Sequence, residues 1–483
     1  MNELVGLSIR EASQRLSHKE VSSAQLTEAV LDRIAETEPL VHAYAHVMEK
    51  SAREEARRAD ADLARGLWHG PLHGIPIALK DLVYTTQAPT EAGSRVLEGW
   101  IPDYDATVVR KLRDGGAVVI GKTHTHEFAY GVNIPPTRNA WRLDGYPGGS
   151  SAGSGVSVAA RSAFGAIGTD GGGSIRCPAS LNGVVGLKPT TGRVSRHGVV
   201  PMSSTFDNVG PMTRTVEDCA LLLGVMAGHD PLDSISLDVP VPDFTMGIES
   251  GVKGIRIGVE REYFFNSKVT DDVRNAAESA LQLLAGEGAE VVEISIPELQ
   301  LAVPIAMPPI LADTTAYHRT WLREKADRYE PRTRVMIELG ELIPATHYVT
   351  AQRARRVLRD RVRSAFDRFR LDALLAPTLP MPTVPVEDLN LVLNDASGES
   401  PGSGYFRQCV PANVIGVPAL SVPAGFSAGG LPIGVAIFGR PLDEATLFRI
   451  ARAYEVKHDW YRRVPNLEPA AEMRRSRTSA SRR

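Results

Sequence analysis

The chain has 483 residues, 43% hydrophobic and 23% charged, an ordinary balance for a globular protein with a substantial core. A formal net charge of -3 gives no reason to expect a polyanionic macromolecule as partner, so nucleic acid is not expected. The cysteines Cys177, Cys219 and Cys409 form no CxxC pair, which excludes a disulfide framework and a cysteine zinc site and fits a reducing cytoplasm.

The opening MNELVGLSIREASQ has no basic stretch followed by an apolar one, so no secretory signal is expected. No apolar run is long enough to span a bilayer, and a cytoplasmic location away from membranes is expected. Residues 1–64 read as a helical segment packed on the core. Ser8 with Glu11 and Ser22 with Gln25 are capping boxes, and Leu26, Val30 and Ile34 repeat every four residues. From Gly66 the texture changes to short apolar runs divided by glycine and proline. Residues 117–120, 255–259, 373–376 and 434–438 read as buried strands, alternating with helical stretches such as 271–284 and 351–369. The alternation predicts an α/β fold with a central, largely buried sheet. Turn formers cluster at 237–254 and 387–403, softer boundaries within one large catalytic domain expected over 65–466. Residues 467–483, ending MRRSRTSASRR, read as a polar, basic, flexible tail.

The chemistry concentrates in PGGSSAGS at 147–154 and GTDGGGSIR at 168–176. Apolar residues embedded nearby at 184–187 favour a rigid, tightly folded region over a flexible linker. Consecutive glycines let a ligand approach main-chain N–H groups closely. A serine ending such a run can be a nucleophile, with the preceding amides aimed at a tetrahedral oxyanion. It still needs a base. His69, His73, His124, His126 and His197 sit in unrelated contexts, and no GxSxG elbow surrounds Ser150 or Ser174. Ser151 fits GxSxG only formally, with no clear strand leading into it. A buried lysine can act as base if desolvation strips its proton, and Lys80 ends the apolar run Gly74-Ile-Pro-Ile-Ala-Leu79.

These residues resemble the amidase signature enzymes. The likeness runs through GIPIALKD at 74–81, PGGSS at 147–151, GTD with GGSIR at 168–176 and GVVGLKP at 183–189. It continues in GRVS at 192–195, GPMTR at 210–214, GVPALSVP at 416–423 and LPIG at 431–434. It covers roughly residues 8 to 460, and the ordered set is far more specific than one glycine loop. The resemblance implies a single large domain with a mixed central sheet flanked by helices on both faces. It also implies a Ser–Ser–Lys triad: Lys80 as base, Ser150 on a cis peptide as relay, and Ser174, 24 residues later, as nucleophile. Amides of Gly171, Gly172, Gly173 and Ser174 would form the oxyanion hole. Hydrolysis of a carboxylic amide through an acyl-enzyme on Ser174 follows, releasing an acid and ammonia or an amine. No cofactor and no metal are implied; a small-molecule amide is the partner, and relatives are often homodimers.

Taken singly, the residues have blander readings. Ser174 could be a turn residue, Ser150 or Ser151 a helix cap, and Lys80 a surface lysine paired with Asp81. The motif set favours the triad, with Ser151 supporting the loop and Asp170 and Arg176 paired to brace it. Cys177 reads as buried and inert. Tyr130 and Phe406 are the candidates for an apolar substrate pocket, with Met307 to Leu311 and Tyr405 shaping the cleft. The rival within the family is the glutamine-hydrolysing A subunit of glutamyl-tRNA(Gln) amidotransferase. Arg355 matches an arginine those subunits use to hold glutamine. Against it, Phe406 stands where they carry an aspartate, and their Asn-Leu-(Ala/Ser)-Arg-(Tyr/Phe)-Asp-Gly stretch is replaced by Asp313-Thr-Thr-Ala-Tyr-His-Arg319. A phosphate-cradling loop lacks the lysine and spacing of a P-loop, and a silent binding scaffold has no need of all three triad side chains.

Overall fold

The computed structural model describes residues 2–131, 133–266, 268–391 and 400–467. Eleven strands make one sheet: β1 (Tyr44–Val47), β2 (Pro76–Lys80), β3 (Val118–Thr123), β4 (Gly165–Thr169), β5 (Val185–Lys188), β6 (Val209–Thr213), β7 (Arg256–Glu260), β8 (Glu290–Ile294), β9 (Ala373–Pro377), β10 (Ala419–Phe426) and β11 (Pro432–Gly439). Their order across the sheet is β1-β3-β2-β4-β6-β5-β10-β11-β9-β7-β8. Parallel pairs (β2 with β3 and β4, β7 with β8 and β9) alternate with antiparallel ones, so the sheet is mixed, as expected. The central strands β2, β3, β4, β5, β6 and β9 are buried at every position, which is why they read as continuous apolar runs rather than alternating ones.

Helices flank the sheet, the helix Arg176–Asn182 packing on β5, β10 and β11 and the helix Asp271–Gly286 on β9, β10 and β11. Both capping boxes form as expected. The Ser8 and Ser22 hydroxyls accept from the N–H of Glu11 and Gln25, whose side chains accept from the serine N–H groups in return. The N-terminal segment departs from its reading in one respect: it contains a strand as well as helices. β1 pairs antiparallel with β3 and forms one edge of the sheet, so residues 1–64 are continuous with the core. Its four residues are too few to show a period of two. The opposite edge, β8, turns Glu290 and Glu293 outward, charges that discourage pairing with another strand.

The turn-rich stretch 237–254 carries no strand or helix and falls between two halves of the sheet, β1 to β6 and β7 to β11. The halves meet where β10 pairs with β5, Ala419 opposite Lys188. Of the tail expected from residue 467, Leu467 is buried and residues 468–483 lie outside the described residues.

Candidate active site

β2 and β4 run side by side and parallel, Leu79 opposite Ile167, so Lys80 and Thr169 emerge together at their C-terminal ends. Lys80 Nζ donates to Ser150 Oγ and to Thr169 Oγ1, both at 2.7 Å, and the lysine is fully buried. Burial pushes its amine down to about 7, against the opposing pull of the Asp207 and Asp170 carboxylates. Lys122 and Lys188 are equally buried, yet neither resembles Lys80 in its partners. Lys122 is paired with Asp81 at 2.8 Å as well as donating to Thr90 Oγ1, and Lys188 donates to the Pro189 carbonyl at 2.7 Å. Lys80 alone of the three is held by hydroxyls only, and the surface pairing with Asp81 is replaced by the Asp81–Lys122 pair.

The Gly149–Ser150 peptide is cis, and Ser151 ties three segments together beside it. Its Oγ donates to the Thr169 carbonyl (3.1 Å) and accepts the Thr169 N–H (3.2 Å), while its own N–H donates to the Ser174 carbonyl (3.1 Å). The loop after β4 is braced by a buried ion pair. Arg176 Nε and Nη2 donate to the two Asp170 carboxylate oxygens at 3.0 Å each. Burial alone would raise the Asp170 carboxyl, but the Arg176 guanidinium and the Asn413 amide outweigh it and hold the group well below the usual carboxylate range. Asn413 reaches this pair from the helix Pro401–Ile415: Nδ2 donates to Asp170 Oδ1 (2.9 Å) and Oδ1 accepts from Arg176 Nη2 (2.7 Å).

The glycines before Ser174 are required by close approach. The Phe406 ring lies where a Gly172 side chain would be, and Gly173 adopts φ 124° with the Cys409 Cβ 2.5 Å from where its own would stand. The Gly173 N–H donates to Asp170 Oδ1 at 2.7 Å. This corrects the expected set of four amides, because a donor already aimed at a carboxylate is not open to an oxyanion. Among the described residues the N–H groups of Gly171, Gly172 and Ser174 have no acceptor.

Ser174 is partly exposed and Ser150 almost wholly buried, and both line one cavity of about 440 Å³. Among the described residues no hydrogen bond joins their hydroxyls. Lys80 and Ser150 are thus in direct contact, and Ser174 shares a wall with Ser150. Tyr130 and Phe406 line the cavity too, as do Met307 and Tyr405, with Met202 and Met336 adding apolar surface; Arg407 is the only charged residue among the described lining. Cys177 reaches the wall as well, but burial pushes its thiol up, so it is no thiolate nucleophile. Arg355 is elsewhere: its Nε donates to the Val414 carbonyl at 2.7 Å and its guanidinium lies 4.9 Å from the Phe206 ring centre.

Sequence reasoning missed Thr169, Asn413 and Asp207. Thr169 had a signal, since it ends a buried strand immediately before Asp170. Asp207, half-buried beside Gly171 and accepting the Met202 and Ser203 N–H groups at 2.7 and 2.9 Å, had none. Among the described residues no group of three or more His, Cys, Asp or Glu is arranged to hold a metal, and no helix is long and apolar enough to cross a membrane.

Two hydroxyls, a desolvated amine and a glycine loop with unspent amides are the parts of a serine-type acyl-transfer site on an α/β scaffold. Comparison with known proteins agrees. The profile described as Amidase matches residues 25–448. An amidase from Pseudomonas putida is 44% identical over 468 residues, spanning 97% of this chain and 99% of that protein. The A subunit of the glutamyl-tRNA(Gln) amidotransferase from Myxococcus xanthus is 41% identical, spanning 95% and 99%. The native peptide amidase of Stenotrophomonas maltophilia superposes with a TM-score of 0.82 at 34% identity, spanning 96% and 99%. The chain belongs to the amidase family, and as an amidase it hydrolyses carboxylic amide C–N bonds.

Proposed function

We propose that Ser174 Oγ attacks the amide carbonyl carbon while Ser150 passes its proton to a neutral Lys80, forming an acyl-enzyme on Ser174. The observation that carries this reading is the 2.7 Å contact between Lys80 and Ser150 in a site dry enough to bring the amine to about 7. The amides of Gly171, Gly172 and Ser174 receive the developing oxyanion, each worth about 3–4 kcal/mol of barrier. The Lys80–Ser150 pair then returns the proton to the leaving nitrogen, and water releases the acid. The missing Ser150–Ser174 hydrogen bond forms when substrate enters and a serine side chain rotates, as catalytic contacts often tighten in the bound complex. Ser151, Asp170 and Arg176 hold the loops in register without touching the reacting atoms.

The apolar wall of Tyr130, Phe406, Met202, Met307 and Met336 suits a small-molecule amide with an alkyl or aryl acyl group. We take the catalytic unit as residues 65–466 together with the edge strand and helices that 1–64 add to it, acting in the cytoplasm without nucleic acid. Identity of 41% to an amidotransferase A subunit supports a second reading, glutamine hydrolysis for a partner protein. The independent amidase is favoured because the cavity offers no carboxylate for glutamine's ammonium among its described lining, and because Arg355 is occupied elsewhere.

A serine-directed fluorophosphonate probe should label the protein, and labelling and turnover should both vanish in Ser174→Ala. A panel of primary amides, anilides and hydrazides then defines the substrate. Full activity of Ser174→Ala would refute the nucleophile, and glutaminase activity with a copurifying partner would favour the second reading.

A further inference from the structure

A second cavity, of about 540 Å³, lies between the helix Ala345–Phe369 and the chain that follows the helix Pro401–Ile415. None of its lining residues belongs to the catalytic cavity. Arg356, Arg359 and Arg363 reach it from one face of the helix, at spacings of three and four residues, and Arg440 faces them from the end of β11. Like charges at those spacings oppose helix formation, a cost that Asp360, also in the lining, offsets only in part.

The four guanidiniums are not equally satisfied. Arg440 is fixed on all three nitrogens, donating to Asp367 (2.7 Å) and to the Leu371 and Phe366 carbonyls (3.1 Å each). Arg363 is paired with Asp360 at 2.9 Å. Arg356 and Arg359 make no ion pair or hydrogen bond among the described residues. The crowding is felt next door: burial first, and then the charge of Arg359, push the Arg355 guanidinium down to about 10. Val362, Phe366 and Val417 form the apolar floor of the same cavity, beneath the exposed Arg356 and Arg359.

We propose that this cavity binds a small polyanion bearing a phosphate or diphosphate group, with Arg356 and Arg359 as its direct ligands. Guanidinium forks match phosphate oxygens in pairs, and a di- or trianion would relieve the repulsion along the helix. The apolar lining would take an uncharged part of the same molecule. A long polyanion is disfavoured, since the chain carries a net charge of -3 and Arg440 closes the far side of the cavity.

Isothermal titration of the full-length protein with inorganic pyrophosphate, at constant ionic strength, tests this. One saturable site is expected, weakened at least roughly tenfold in R356Q/R359Q. Amide hydrolysis by that variant should be unchanged, which also shows that it folds. On the unaltered protein, pyrophosphate should protect Arg356 and Arg359 from phenylglyoxal. Unsaturable heats, equal affinity in the double variant, undiminished labelling, or binding of heparin without pyrophosphate would each overturn the proposal.

Discussion

Lys80 is the base of the proposed mechanism, and its environment sets a pH dependence of known sign. With the amine titrating at about 7, the neutral base is lost below that pH, so kcat/KM should fall tenfold per pH unit on the acid side of about 7. Lys80→Met should lower kcat by roughly 10³-fold or more, a steep loss measured against largely unchanged substrate binding. The same burial costs stability. The amine's value falls from 10.5 to about 7 on folding, a penalty of roughly 5 kcal/mol on the charged form. That penalty is complete below about 7 and is removed as pH rises toward 10.5, because the unfolded chain then holds the extra proton. Lys80→Met should therefore melt no lower than the parent at pH 6 by calorimetry, despite its loss of turnover. Thr169→Val removes an oxygen that accepts from the ammonium, so the acid limb should move to lower pH, with kcat/KM falling about tenfold. The burial of Lys80 was legible because an apolar run leads into it. Thr169 was not, because its hydroxyl matters only once β4 lies beside β2.

At the level of elements, the nucleophile loop is held by a pair it contains and a brace it does not. Asp170 and Arg176, six residues apart, could be matched in the sequence; Asn413 comes from a helix in the other half of the sheet, and no local pattern links it to them. Asp170→Asn leaves the Arg176 guanidinium buried without its counter-charge and should cost about 3–5 kcal/mol by denaturant titration. Because the Asp170 carboxyl is held below its ordinary range, the stability it supplies is present above about pH 4, the usual aspartate value. It is lost progressively as pH falls below that. The expected four amides were legible only in part, since one of them, the Gly173 N–H, is taken by Asp170. Glycines announce backbone donors, but which donor faces an internal carboxylate depends on how the loop closes on Asp170.

Across the whole molecule, the apolar runs and their alternation with helices disclosed the α/β class, while the strand order did not follow from them. Pairing of β5 with β10 joins Lys188 to Ala419, a contact invisible to any window of sequence. β1 escaped for a different reason: four residues between two helices look like a linker until β3 offers them hydrogen bonds. Deleting residues 2–47 should uncover β3 and the core surface that Leu26, Val30 and Ile34 now cover. The product is expected to aggregate on size-exclusion chromatography, whereas removing 468–483 should leave the melting temperature unchanged.

The brace from Asn413 has a consequence for biosynthesis. Lys80, Ser150 and Ser174 all leave the ribosome long before the amide that steadies Asp170, and β10 must still insert next to β5 to complete the sheet. A nascent chain that has reached Ser174 but not Asn413 therefore holds all three side chains while lacking the amide that braces Asp170. An ordered site on this reading waits until the helix Pro401–Ile415 and β10 are in place.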